Sequence, residues 1–332
     1  MTTILRGARV FDGAGFGGPR DIAMVDGLIA EAPSAGAGVA GFEVVDAAGG
    51  YLLPGLIDCH IHLSGPETLA RLAAHGVTTG LDMSSPPPLV RALRGAAGRA
   101  GPVADLRSGL MALTCPRSAH AERMRGVPAA RESLVDGPEE AEAAVARRVR
   151  QGADYIKVVV DLPGFDLETV AAIVDAAHRH SLLVVAHASR SDAVELARRA
   201  GVDVLTHVPL DRAIDAAEAA EIAAAGTLTV PTLAMMRGIV DAAGSGPGPS
   251  YEPARASVRA LHDAGATILA GTDANRTPAA PASPPFGESL HDELGLLVDA
   301  GLAPVEALRA ATCDAAAHFG LADRGRVEPG LR

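Results

Sequence analysis

The 332-residue chain contains no tryptophan, and aromatic residues make up only 3% of it. Proteins that stack bases or sugars rely on aromatic platforms, so that class of ligand is disfavoured from the start. Cysteine is also scarce. Cys59, Cys115 and Cys313 form no C-x-x-C pair and no even-numbered framework, which points to reduced thiols rather than a disulfide scaffold. Positive charge is in deficit: the formal net charge is −11, and nucleic-acid or anionic-membrane binding needs basic patches. No apolar run reaches the length of a bilayer span, because charges interrupt each one. The opening residues, Met1-Thr2-Thr3-Ile4-Leu5-Arg6, lack a basic head followed by an apolar stretch, so no secretory leader is expected. The expectation is a cytoplasmic protein whose partner is a small molecule, not nucleic acid or membrane.

What the chain does have is apolar mass, 48% of its residues, and a length that suits an α/β barrel with an appendage. Residues 2–50 read as short β runs, with Asp12-Gly13 and Asp26-Gly27 as turns and a Gly/Ala-rich loop over Ser34–Gly41. After Pro54 the rhythm becomes strand, then amphipathic helix, repeated. The expected strands are Leu53–His60, Val77–Met83, Asp105–Ala112, Tyr155–Val160, Leu182–Ala186, Val204–Thr206, Leu228–Pro231 and Thr267–Ala270. Helices are expected over Glu139–Arg150, Leu167–Arg179, Asp192–Arg199, Tyr251–Asp263, Glu288–Ala300 and Pro304–Phe319. Eight β/α units are the count of a closed (β/α)8 TIM barrel, assigned to residues 53–319. A doubly wound open sheet is the alternative, but no G-x-G-x-x-G follows an early strand.

In a barrel of this kind the chemistry stands at the C-terminal ends of the strands, which makes the polar residues there informative. The first strand ends in His60-Ile61-His62. Alternation along a strand puts both imidazoles on one face, where they could grip one metal ion, and leaves Cys59 facing away. The fourth strand, Tyr155-Ile156-Lys157-Val158-Val159-Val160, carries a lysine inside an apolar run, where a buried ammonium needs a partner or a changed state. The fifth ends at His187, the sixth at His207 and the eighth at Asp273. A single histidine on an apolar strand is usually a satisfied core residue. Six such groups at strand ends are hard to read that way. His75, His178, His180, His262, His291 and His318 fall in helices or at their ends, and His120 in a loop, so they are left out of the metal set.

The segments Pro54-Gly55-Leu56-Ile57-Asp58-Cys59-His60-Ile61-His62, Gly152-Ala153-Asp154-Tyr155-Ile156-Lys157, Ala186-His187-Ala188, Thr206-His207 and Ala270-Gly271-Thr272-Asp273 occur in an order that resembles the amidohydrolase superfamily, in particular its imidazolonepropionase-related and prolidase-like branch. The resemblance implies a metal-bearing (β/α)8 barrel with a small β-sandwich domain built from both chain ends, here residues 1–52 with 320–332 contributing. It implies two divalent metal ions, most often zinc. His60, His62 and Asp273 would hold one and His187 and His207 the other. Lys157 would bridge them as a carbamate formed with carbon dioxide or bicarbonate. The implied reaction is hydrolysis of an amide-type C–N bond through a metal-bridged hydroxide, with Asp273 as the catalytic general base and then acid. The plain alternative is an unmodified Lys157 salt-bridged to Asp273 beside a single metal, which would suit a mononuclear deaminase or cyclic-amide hydrolase. A non-catalytic binding protein on the same fold is a third reading. Association into a homo-oligomer is implied by the resemblance only.

Specificity in such barrels resides in the loops after the strands. Candidate substrate contacts are Arg117 and His120 after the third strand, Tyr155 on the fourth, Arg190 after the fifth, Met235 and Arg237 after the seventh, and His291 early in the helix after the eighth. The segment Thr114–Ser133, rich in arginine and poor in apolar residues, reads as a lid. The terminal run Asp323–Arg332 resembles the lead-in to the final β-strands of the family, which do not follow it, so an unpaired sheet edge is expected.

Overall fold

The computed structural model describes residues 2–32, 41–97, 103–244, 248–278 and 280–332. Apart from Gly41, the loop expected from Ser34 lies outside the described residues. The first strands are β1 (Thr2–Phe11), β2 (Phe16–Val25), β3 (Leu28–Ala30), β4 (Glu43–Asp46) and β5 (Tyr51–Leu52). The expected sandwich is, among the described residues, one mixed sheet. The ten-residue β1 is the common partner of β2, β4 and β5, which ties every strand into the same layer. The chain end adds to the opposite edge: Ile29 N donates to Leu331 O at 2.7 Å and Gly330 N to Ile29 O at 2.8 Å. Ala8, Val10, Ile22 and Val327 fill the small core beneath. Arg324 fastens this tail to the rest, with its guanidinium 2.7 Å from Asp105 and donating to Thr79 Oγ1 at 2.8 Å.

The remaining strands are β6 (Leu56–Ile61), β7 (Val77–Asp82), β8 (Asp105–Ser108), β9 (Leu113–Thr114), β10 (Ile156–Val159), β11 (Val184–His187), β12 (Val204–Thr206) and β13 (Leu228–Val230). They form two parallel sheets, β6-β7-β8 and β13-β12-β11-β10-β9. Asp154 N donates to Ser108 O at 3.0 Å, joining the end of β8 to the approach to β10. On the other side Leu269 N reaches Thr229 O at 2.8 Å, and Cys59 N reaches Ala270 O at 2.9 Å. Residues 267–274 thus bond to β13 and β6 at once, and the arrangement is consistent with the expected (β/α)8 barrel. The side chains alternate accordingly. Ile57, Cys59, Leu81, Tyr155, Val185, Val204, Val230 and Leu269 pack in one cluster, while Leu56, Ile61, Leu106, Ile156, Val158, Val184 and Leu205 pack against the helices.

Three expected elements come out differently. Thr267–Ala270 is not a regular strand and makes only isolated bridges, Thr229 with Ile268 and Ile61 with Ala274. Gly271 lies so close to β6 that a Cβ there would sit 2.8 Å from His60 N, and Asp273 takes a positive φ of 58°. The strand Asp105–Ala112 stops at Ser108 because Leu110 turns to φ 58°, and pairing resumes as β9. The helix Pro304–Phe319 divides into Pro304–Ala310 and Cys313–His318. Thr312 Oγ1 donates back to Leu308 O at 2.7 Å, a bond that bends helices. Leu167–Arg179 matches expectation to the residue, starting at Asp166, whose carboxylate accepts from Thr169 N. Thr114–Ser133 contains two short helices, Ala119–Arg123 and Pro128–Arg131.

Candidate metal centre

The site begins where β6 breaks its regular pairing. Cys59, expected to face away from the two imidazoles, instead packs inward with Ile57, because a register shift between Asp58 and Ile61 breaks the alternation and lets His60 and His62 open on the same interior. Buried Asp58 fixes this kink. Its carboxyl group accepts from His60 N and Thr272 N, both at 3.1 Å, and from Thr272 Oγ1 at 2.7 Å. Burial pushes the Asp58 carboxyl up to about 7 against those bonds. Asp82 does similar work one strand away, taking Leu63 N and the hydroxyls of Ser85 and Ser108.

Asp273 is anchored to the same kink, with its N–H donating to His60 O at 2.8 Å. Its Oδ1 lies 3.0 Å from His62 Nε2 and 3.5 Å from His60 Nε2. The ligand atoms of His60, His62 and Asp273 all fall within 4.8 Å of one another, and this donor set of two imidazoles and a carboxylate suits a divalent ion such as zinc. The local chemistry fits as well. Burial, then the nearby Lys157 and histidines, hold His60 well below the ordinary imidazole range, which leaves it neutral with a free lone pair. Its buried Nδ1 has no hydrogen-bond partner. Burial also opposes a charge on His62, but the bond to Asp273 outweighs it and raises that group.

The other predicted ligands stand across the same cavity. Lys157, on β10, is 3% exposed, and its Nζ donates to Thr206 Oγ1 at 2.6 Å rather than to Asp273. Burial lowers the amine to about 7, with Asp273 pulling the other way. His207, just past β12, is buried and depressed well below its usual range by burial and by His187. Its Nδ1 pairs with Thr232 Oγ1 at 2.8 Å. The ring of His187 lies 4.5 Å from that of His207, and His187 Nε2 is 3.4 Å from Asp161 Oδ1. His60, His62, Lys157, His187, His207 and Asp273 all line one cavity of about 160 Å³.

Of the expected substrate contacts, His120 and Met235 line this cavity. Burial brings His120 down to about 4. The others are placed elsewhere. Arg117 pairs with Asp136 on the surface. Tyr155 is turned into the inner cluster, where its hydroxyl donates to Asp82 O at 2.8 Å. Arg190 pairs with Asp192 at 3.3 Å. Arg237 lies 5.3 Å over the ring of Tyr251, and His291 Nε2 bonds His75 O at 2.9 Å. Arg237 and His291 border a wider, more open groove between the helices Leu233–Ala243 and Glu288–Asp299, away from the six ligands. Histidines excluded from the metal set have bland partners: His178 with Asp203, His262 with Glu306, His318 with Asp314 O.

Sequence reasoning passed over Arg123, Met124 and Asn275 in the cavity wall and Asp161 beside His187. Two signals were available. Arg123 follows His120 by three positions, which on a helix means one face. Asp161 immediately follows the strand that bears Lys157.

The family model described as "Amidohydrolase family" matches residues 51–332. An uncharacterized protein of Mycobacterium tuberculosis (strain ATCC 25618 / H37Rv) is 29% identical over 320 residues, covering 90% of this chain and 80% of its own. An imidazolonepropionase of Deinococcus radiodurans is 30% identical over 277 residues, covering 80% of this chain and 60% of its own. A solved structure of a Xaa-Pro dipeptidase with bound methionine in the active site superposes with a TM-score of 0.83 at 21% identity, covering 100% of this chain and 92% of that one.

Proposed function

The chain belongs to the amidohydrolase family, and from that premise we propose that it is a metal-dependent hydrolase of an amide-type C–N bond in a small molecule. We take residues 53–319 as its closed (β/α)8 barrel and residues 1–52 with 320–332 as the accessory domain. One observation carries the reading: the His60–His62–Asp273 trio, spaced to share an ion, opens onto the same cavity as Lys157, His187 and His207. His60, His62 and Asp273 would hold one divalent ion, zinc being the natural fit, and His187 and His207 a second. Lys157 would join the two as a carbamate. Divalent ions there would polarise the scissile carbonyl and lower the pKa of the attacking water.

The chain's own groups account for the rest. Asp273 accepts a proton from that water on its carboxylate and returns it to the departing nitrogen. Lys157 is suited to take up carbon dioxide because burial lowers its amine to about 7, and the neutral amine is the reactive form. Addition of that amine to carbon dioxide would form the carbamate anion and release one proton, and the anion would suit a place beside divalent ions. His120, held neutral by burial, offers one N–H and one lone pair to the substrate, and Met235 with Met124 gives an apolar wall.

A mononuclear deaminase or cyclic-amide hydrolase is the second reading, supported by the pairing of His187 with Asp161 instead of with the trio. Metal content of the purified full chain decides between them. About two zinc ions per chain support the binuclear enzyme, whereas one ion together with ammonia release from an amino-heterocycle supports the second reading. No bound zinc after addition of zinc and bicarbonate would refute both.

A further inference from the structure

We propose that Glu293 is a positioning residue for the metal centre, acting through Thr232 on His207; this rests on the binuclear reading above. The helix Leu233–Ala243 follows β13, and Thr232 stands at its start. A threonine at that place ordinarily takes an extended backbone and caps the helix with its own hydroxyl. Thr232 does neither. Its backbone is left-handed, at φ 50° and ψ 48°, and its side chain makes no capping bond. That conformation is unusual for a β-branched residue and is strained. The hydroxyl is turned instead to His207 Nδ1 at 2.8 Å.

The capping duty falls to Glu293, on the facing helix Glu288–Asp299. Its two carboxyl oxygens accept from Leu233 N at 2.9 Å and Ala234 N at 2.7 Å, and the residue is 0% exposed. Glu293 therefore removes the reason for Thr232 to cap its own helix and leaves the hydroxyl for the imidazole. With Nδ1–H donating to Thr232 Oγ1, the ring orientation is fixed and Nε2 keeps the lone pair that an ion needs. Without Glu293, Thr232 relaxes toward the ordinary cap, its oxygen turns to the helix N–H groups, and His207 is released.

The test uses the full-length chain with zinc ion as the probe, titrated against a competing chelator, alongside thermal unfolding. Thr232→Val keeps the shape and loses the hydroxyl. Glu293→Gln keeps the shape but leaves one N–H facing an amide NH2. Both are expected to weaken the less tightly held zinc by roughly ten- to a hundredfold, the range typical of groups that orient metal ligands, while Thr232→Ser keeps wild-type zinc affinity. If Glu293→Gln lowers the melting temperature but binds two zinc ions as the wild type does, Glu293 is a helix cap and nothing more. If the wild type itself holds fewer than two zinc ions, the binuclear reading fails and this inference with it.

Discussion

The two halves of the candidate centre are built differently. In one, His60, His62 and Asp273 already face each other, with Asp273 Oδ1 shared between two imidazole nitrogens. In the other, each group is engaged with something else: Lys157 with Thr206, His187 with Asp161, His207 with Thr232. The first half is locked by backbone, through the β6 kink, Asp58 and the Asp273 N–H. The second depends on side-chain bonds that can be exchanged. On the proposed chemistry, an ion entering the first half would take the place of the contact between His62 and Asp273. Filling the second would require Lys157 to leave Thr206 and His187 to leave Asp161, with His207 keeping Thr232 at its Nδ1, and, on the same chemistry, a new anionic group to be made on Lys157.

That contrast can be broken most directly at Asp273. Asp273→Asn retains the backbone anchor and loses the proton acceptor, so kcat is expected to fall by about a thousandfold or more, with the circular dichroism of the folded chain unchanged; retained turnover would end its assignment. Lys157→Ala should act mainly on the second half, since the first keeps three other ligands. Metal analysis is expected to show a drop from about two ions to about one, with activity down roughly a hundredfold; two ions held without the lysine would show that no bridge is needed. A smaller effect is expected at His120, which touches neither half's ligand bonds. His120→Asn should raise KM by about tenfold and leave zinc content alone, and a loss of zinc would place His120 among the ligands instead. The mildest perturbation is pH. With the Lys157 amine at about 7, the reactive neutral form grows as pH rises from about 6 to about 8, so at a fixed partial pressure of carbon dioxide, with bicarbonate in equilibrium, zinc uptake by the metal-free chain should be speeded severalfold more at the upper end. Uptake indifferent to bicarbonate at both values would argue for an unmodified lysine.

The convergence of the six candidate groups on one cavity was legible in sequence because the strand ends were read as one rim. Strand alternation alone misplaced Cys59, which packs inward with Ile57 although expected to face away from His60 and His62. The substrate wall was not legible, since loop side chains are settled by local partners. Arg190 is taken by Asp192, two positions on, while Arg117 finds Asp136 only after the chain between them folds back as two short helices. The eighth strand was misjudged in extent for a related reason. Its apolar run is real, but Gly271 is pressed against His60 and the path leaves the ladder there. Glu293 sits in a helix whose amphipathic pattern gives no hint of a carboxyl group aimed at the start of another helix.

The bond between Asp58 and Thr272 joins residues 214 positions apart. Contacts so distant in sequence form late, since a long loop must close before they contribute. During synthesis the two histidines of β6 leave the ribosome long before Asp273 does, and chains grow at about 5–20 residues per second. For that interval the His-x-His pair is a two-ligand fragment without its carboxylate. On the proposed chemistry, tight metal capture would therefore mark completion of the site: a chain interrupted before residue 273 would carry both histidines of the trio and lack its carboxylate.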